Sequence, residues 1–334
     1  MAKCRTGEQQ MKDSHGRTID YMRISITDRC NLRCKYCMPE DIPSIPHEKI
    51  LRFEEILHIC RLAGELGIRK FKVTGGEPLV RKGCLAFLKN LKELPATEQV
   101  TLTTNGTLLS GHLPELKKIG LDGINISLDT LNEQTFERIT GRPEFSRVMD
   151  SVVACQASGI RTKVNSVLLQ DINKNEFLSL VHLARDYQVD VRFIEIMPIG
   201  SGRQYRGCSR QELLSMLSET YPDYVQVHEH RGNGPAAYIY LPGFKGCIGF
   251  IDAIHGKFCS TCNRVRLTSD GLLKLCLYYE NGIDLCSMLR SGHSDSSILA
   301  AMERAILKKP EEHQFHFTAL EGPAEERRMS QIGG

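Results

Sequence analysis

Six segments in which apolar and polar residues alternate, at 21–26, 70–74, 100–104, 123–128, 161–168 and 189–195, are separated by stretches of helical periodicity. Alternation over four to eight residues is the pattern of a half-buried strand, whereas apolar residues at i, i+3, i+4 and i+7 form one face of a helix. Helices are expected at 53–66, 85–94, just before Gly120, 146–158 and 175–187. A strand followed by helical material, repeated every roughly 25 to 50 residues, is the rhythm of βαβ units on a parallel sheet. Six units fall short of the eight that close a barrel. The expected fold is α/β, an incomplete parallel (βα)6 barrel.

The rhythm stops near Gly200, where GSGRQYRG reads as a polar linker. A helix at 211–219 and alternating pieces at 236–241, 248–251 and 263–267 follow, separated by glycine turns, and suggest a small antiparallel addition. A helix at 297–307 leads to a charged tail ending Ile332-Gly333-Gly334, for which fraying is the default. Two domains are expected, a barrel core at 13–222 and a smaller C-terminal α+β domain at 223–334.

Functional residues of parallel barrels collect at the C-terminal ends of the strands. In this chain those ends carry Cys30, Cys34 and Cys37, then Gly75-Gly76-Glu77-Pro78, Thr104-Asn105-Gly106, Ser127-Leu128-Asp129, the strand residues Lys163 and Asn165, and Glu195 with Met197-Pro198. The three thiols fall within eight residues as CxxxCxxC. A structural zinc site or an ordinary cubane cluster takes four protein ligands, so three leave one coordination position open for something that reacts.

A second triplet, Cys259, Cys262 and Cys276, lies in FCSTCNRVRLTSDGLLKLCL. It is again one ligand short of a zinc ribbon, although Cys247, Cys286 and His255 are near enough in sequence to complete a closed site. Arg264 and Arg266, two apart on an expected strand, project to one face and form a forked site for phosphate or carboxylate.

A net charge of +3 on 334 residues argues for neither nucleic acid nor a membrane surface. The first twenty residues lack the apolar region of a secretory signal, and no apolar run approaches a membrane span, so a reducing, cytoplasmic setting is expected. There the thirteen cysteines are read as metal or redox ligands before disulfides. Those at positions 4, 60, 84, 155, 208, 247 and 286 are read as small buried apolar residues or incidental surface thiols.

CxxxCxxC with Tyr36 before its last cysteine resembles the signature of the radical S-adenosylmethionine enzymes. The blocks DSHGRTIDYMRISITDRCNLRCKYCMP, KVTGGEPLVR, LTTNG, INISLD, VRFIEIMP and FCSTCNRVRLTSDG, with the terminal Gly-Gly, are together similar to the GTP 3',8-cyclase family of molybdenum cofactor biosynthesis. The resemblance implies two 4Fe-4S clusters. One, on Cys30, Cys34 and Cys37, offers its open iron to S-adenosylmethionine and yields a 5'-deoxyadenosyl radical; the other, on Cys259, Cys262 and Cys276, faces the guanine of GTP in the C-terminal domain. It implies an S-adenosylmethionine site of Tyr36, Gly75, Gly76, Glu77, Ser127 and Met197, with Glu77 helping to hold the ammonium. Arg23, Lys72, Thr103, Lys163, Arg264 and Arg266 are implied to contact GTP, and Arg264, Arg266, Gly333 and Gly334 to complete the cyclisation, the tail reaching into the site. The family commonly has arginine where this chain has Lys72, which keeps the charge and loses the planar fork. The implied partners are GTP, an external electron donor and a downstream cyclic pyranopterin monophosphate synthase, with no nucleic acid and no membrane; a homodimer is compatible with the resemblance. The nearest competing reading is another radical S-adenosylmethionine enzyme with an auxiliary cluster, such as a peptide-modifying one; a rival from another class is a metal-binding interaction or redox module with two closed sites.

Overall fold

The computed structural model describes residues 10–38, 44–229, 231–315, 325 and 327–333. In chain order the first unit is β1 (Tyr21–Ser25), α1 (Phe53–Glu65), β2 (Lys70–Thr74), α2 (Cys84–Lys92), β3 (Gln99–Thr104), α3 (Leu113–Ile119), β4 (Gly123–Ser127), α4 (Glu133–Thr140), α5 (Phe145–Ser158), β5 (Thr162–Ser166), α6 (Phe177–Asp186) and β6 (Asp190–Ile194). These six strands pair in sequence and in parallel. The expected (βα)6 half-barrel is therefore present, with α4 as an additional short helix that its polar composition hides in the sequence.

The remainder comprises α7 (Arg210–Thr220), β7 (Val225–Val227), β8 (Ala237–Tyr240), β9 (Ile248–Ile251), β10 (Arg264–Leu267), β11 (Leu272–Lys274), β12 (Gly282–Asp284), α8 (Leu285–Arg290), α9 (Asp295–Leu307) and α10 (Met329–Ile332). It does not form a separate antiparallel addition. β9 pairs in parallel with β6, and β10 pairs in parallel with β1, so the C-terminal segment extends both edges of the barrel sheet. Beyond these two, the pairings are antiparallel: β9 with β8 and β8 with β7 at one edge, β10 with β11 and β11 with β12 at the other. Among the described residues the sheet has twelve strands, in the order β12-β11-β10-β1-β2-β3-β4-β5-β6-β9-β8-β7. Unpaired backbone at the edges of the half-barrel explains this recruitment, since an open edge presents a row of unmet donors and acceptors.

The strand periodicity separates two environments. Met22 and Ile24 on β1, Val100 and Leu102 on β3, Ile124 and Ile126 on β4, Val191 and Phe193 on β6, and Val265 and Leu267 on β10 are buried in the apolar core. The alternate residues, Tyr21, Arg23, Lys72, Thr103, Ser127, Asn165, Arg192, Arg264 and Arg266, line the interior instead. A barrel interior filled by branched apolar side chains is a packed core; this one is hollow, with charged and polar side chains set into its wall. Among the described residues no helix is long and apolar enough to cross a membrane.

The tail departs from the fraying expected of a terminus. Ile332 is buried and packs with Ile199, Tyr278 and Phe315, and α10 carries the buried Gly333 against Ser25 and Thr74 at the ends of β1 and β2. Gly334 lies outside the described residues.

Candidate active site

Strand direction sets the site. Cys30, Cys34 and Cys37 follow the C-terminal end of β1, whereas Cys259 and Cys262 precede β10, which runs parallel to β1. Cys276 follows β11, which is antiparallel to β10, and so returns to that same lower end. The two triplets therefore sit at opposite ends of the barrel. All six thiols line one cavity of about 320 Å³.

The first triplet is held by backbone. Arg33 and Lys35 donate their N–H groups to the carbonyls of Thr140 and Ile139 at the end of α4, and Cys37 and Met38 turn back onto the carbonyl of Cys34. Burial, together with the charges of Cys37 and Asp129, pushes the Cys34 thiol well up; burial with Cys30 and Asp129 pushes Cys37 up to about 12. Three crowded thiols of this kind become thiolates when a cationic centre replaces their protons. In the second triplet burial opposes ionisation, but the Arg264 and Lys309 charges prevail and bring Cys262 down to about 7. Cys60, Cys84, Cys155, Cys208, Cys247 and Cys286 are buried away from this cavity, as expected of small apolar residues. Cys247 and Cys286 thus do not complete the second set, and His255 is paired with the Glu195 carboxylate.

The donor sets fit iron–sulfur clusters. Each consists of three thiols opening onto a shared cavity, the soft thiolate donors that such clusters take. In a cubane each thiolate binds a different iron, so its ligands stand further apart than those of a mononuclear site.

Gly75 and Gly76 lie against the cysteine loop. Gly76 N–H donates to Thr27 O at 2.6 Å and Glu77 N–H to Arg29 O at 2.8 Å. A Cβ on Gly75 would stand 2.6 Å from Thr27 O, and one on Gly76 2.4 Å from Arg29 O, so only glycine lets the two backbones close. Glu77 is placed otherwise than the expected ammonium contact requires. It is fully buried and absent from the cavity wall, and its carboxylate accepts from Leu79 N–H, Thr104 Oγ1 and Asn105 N–H. Burial raises it to about 7 against those three donors. It ties the loop after β2 to the loop after β3.

Tyr36, Ser127 and Met197 line the cavity near the first triplet, and the Tyr36 hydroxyl donates to Asp129 Oδ2 at 2.6 Å. Arg23, Lys72, Thr103, Arg264 and Arg266 line it further along. Arg266, Arg23 and Lys72 occupy paired register positions on β10, β1 and β2, so three cations stand side by side. Burial first, then Arg23 and Arg264, holds the Arg266 guanidinium well below its ordinary range; burial, Arg192 and Arg23 do the same to Lys72. Such a row is destabilised by mutual repulsion and is matched by a polyanion. The Arg264 guanidinium stacks 4.7 Å from the centre of the Phe258 ring.

Two further placements differ from expectation. Lys163 lines a smaller cavity of about 40 Å³ that adjoins the main one through Tyr21, Lys72, Arg192 and Gly234. Its ammonium is held by Arg231 O and Tyr238 Oη, and burial, then Arg192, brings it down to about 7. Gly333 does not line the main cavity either, but its carbonyl accepts from Arg266 Nη1 at 2.8 Å.

Besides Lys309, Arg192 is an interior cation that sequence reading passed over. It donates to Asn125 Oδ1 at 2.5 Å and to Asn165 Oδ1 at 2.6 Å, and lines both cavities. Its signal is available in retrospect, because it alternates with apolar Val191 and Phe193 in VRFIEIMP as Arg264 and Arg266 alternate with Val265 and Leu267.

Residues 24–184 match the Radical SAM superfamily, and residues 189–315 match Molybdenum Cofactor Synthesis C. The chain is 43% identical over 325 residues to the GTP 3',8-cyclase of Clostridium perfringens (strain 13 / Type A), covering 97% of this chain and all of that protein. It is 42% identical over 330 residues to the GTP 3',8-cyclase of Moorella thermoacetica, with the same coverage. Among solved structures it is similar to Streptococcus suis SuiB bound to S-adenosylmethionine, with a TM-score of 0.63 and 15% identity over 90% of this chain and 74% of that one. That likeness concerns the fold.

Proposed function

The chain belongs to the GTP 3',8-cyclase family, and from that premise we propose how its own residues serve the reaction. The enzyme is a radical S-adenosylmethionine lyase that converts GTP to (8S)-3',8-cyclo-7,8-dihydroguanosine 5'-triphosphate, the first step of molybdenum cofactor biosynthesis. The observation that carries the mechanistic reading is the single cavity with a thiol triplet at each end and cations between.

Cys30, Cys34 and Cys37 hold one four-iron cluster and Cys259, Cys262 and Cys276 the other. When bound, the first cluster with S-adenosylmethionine supplies a reducing electron and a hydrogen-atom acceptor, and the second supplies an open iron for the base. The chain's part is positioning. Gly75, Gly76, Tyr36, Ser127 and Met197 shape the S-adenosylmethionine end, and Glu77 stiffens it from behind. Arg23, Lys72, Thr103 and Arg192 receive the triphosphate, with Lys163 at its inner end. Arg264 and Arg266 face the ribose and base, Arg266 holds the Gly333 carbonyl in place, and Gly334 acts with Gly333 in the cyclisation. The reaction removes one hydrogen atom at C3', joins C3' to C8 and returns one electron and one proton, so the product is an isomer of GTP. Selecting one C–H bond depends on fixed geometry, which the cations and thiols set around the cavity wall provide.

An external electron donor, a downstream enzyme that forms the pterin, a cytoplasmic setting and a division of the chain at 222/223 complete this reading. The test is direct: the anaerobically reconstituted enzyme with reductant, S-adenosylmethionine and GTP should give a product of the same mass as GTP. Return of unchanged GTP would reject the assignment.

Lys163 provides a pH test. With its pKa near 7 it is largely neutral above that pH in the free enzyme, and a triphosphate favours its charged form. GTP binding should take up a proton, and affinity should fall as pH rises through 7 by up to about tenfold per unit. Calorimetry in two buffers of different ionisation enthalpy measures the uptake, and Lys163→Met should remove it. Equal uptake in both proteins would assign the proton to the nucleotide.

Gly333 provides a second. Its φ is +82°, and a Cβ there would stand 2.9 Å from Thr74 Cγ2 and 3.0 Å from Ser25 Cβ. Gly333→Ala should displace the tail and lower turnover by about tenfold or more, the scale of about 1–3 kcal/mol of backbone strain, while iron content is unchanged. Full turnover would remove the tail from the mechanism.

A further inference from the structure

Asn105, in the loop after β3, has an environment that the reaction of GTP does not account for. Its backbone N–H donates to the buried Glu77 Oε2 at 2.6 Å. Its side-chain Oδ1 accepts from Thr107 N–H at 3.0 Å and from the Thr107 hydroxyl at 2.8 Å. A backbone N–H can only donate, so the amide is fixed with its oxygen toward Thr107 and its nitrogen away. That nitrogen donates to Asn31 Oδ1 at 2.8 Å and lies 3.7 Å from Cys30 Sγ. Asn31 Nδ2 donates in turn to Thr107 Oγ1 at 2.8 Å, which closes a ring of three side chains. The orientation is therefore specified twice, once by Thr107 and once by Asn31. Cys30 Sγ also faces Leu32 N–H at 3.4 Å.

We infer that Asn105 is a positioning residue for the first cluster, its side-chain amide donating to the Cys30 sulfur and raising the potential at which that cluster accepts an electron. The physical reason is charge. Reduction adds negative charge that spreads onto the thiolate sulfurs, and an N–H dipole aimed at one of them stabilises the reduced form more than the oxidised. Because Glu77 holds both the loop after β2 and the Asn105 backbone, the S-adenosylmethionine end of the cavity and the sulfur donor are set by one buried carboxylate. Asn105 lines the cavity beside the first triplet and is assigned its role through Cys30.

The inference rests on the assignment of the first cluster to Cys30, Cys34 and Cys37. The experiment is an EPR-monitored redox titration of the reconstituted enzyme, following the reduced-cluster signal that changes on adding S-adenosylmethionine. Asn105→Asp keeps the backbone donor and the acceptor for Thr107 but turns an oxygen toward the sulfur. The expected result is full iron content and a shift of that signal to more negative potential; an unmoved potential at full iron content overturns the inference. If the aspartate variant does not keep its iron, the wild-type enzyme carrying asparagine labelled with ¹⁵N only in the side chain decides. A ¹⁵N hyperfine coupling in the pulsed EPR spectrum of the reduced first cluster, retained in Asn31→Asp, is expected, and its absence overturns the inference. Failure of the underlying assignment is distinguishable, since only then would Cys30→Ala leave the S-adenosylmethionine-responsive signal intact.

Discussion

Arg266→Ala is expected to lower kcat/KM for GTP by about 10²–10³-fold, the usual cost of removing one preorganised donor from a desolvated site, with both clusters still assembled. Arg266 stands beside Arg23 in the register of β10 and β1, lines the cavity, and donates to the Gly333 carbonyl. Its loss removes both a charge facing the nucleotide and the anchor of the tail. Arg266→Lys should recover only part, because an ammonium keeps the charge but cannot address two partners in one plane. Iron and sulfide analysis beside product assay separates the outcomes. A variant that loses iron would show that Arg266 serves assembly, and one with near-normal product would remove it from the site.

The second large effect concerns Cys262→Ala. This variant should hold about four irons per chain in place of about eight, since a cubane with only two protein ligands is not retained. It should still cleave S-adenosylmethionine slowly, but GTP should no longer stimulate that cleavage and no cyclised product should form. The reason is placement: Cys262 precedes β10 at the end of the cavity remote from Cys30, Cys34 and Cys37, so its loss leaves the first triplet untouched. Stimulation by GTP surviving at four irons would mean that the second triplet does not read the nucleotide.

Much of this arrangement is legible in the residues. The strands from β1 to β6 are found because their outward faces, such as Met22 and Ile24 or Ile124 and Ile126, are apolar while the inward ones are not. That β9 and β10 complete the barrel edges is not legible, because pairing of Arg264 with Tyr21 joins residues far apart in sequence and leaves no local period. β11 and β12 are too short to show alternation. The cysteine triplets announce themselves by spacing, but their position at opposite ends follows only from strand direction. Glu77 shows the limit on the chemical side. A carboxylate beside a glycine pair suggests a ligand contact, and only the fold reveals that its oxygens are consumed by Leu79, Thr104 and Asn105. Arg192 is missed for the opposite reason, being a cation inside a segment that reads as an ordinary strand.

The claim that the two triplets act on one nucleotide in one cavity is tested most directly with GTP deuterated at C3'. The reconstituted enzyme, given reductant and S-adenosylmethionine, should form 5'-deoxyadenosine carrying one deuterium from the nucleotide, at a rate that depends on GTP. Unlabelled 5'-deoxyadenosine, formed equally with and without GTP, would contradict the account.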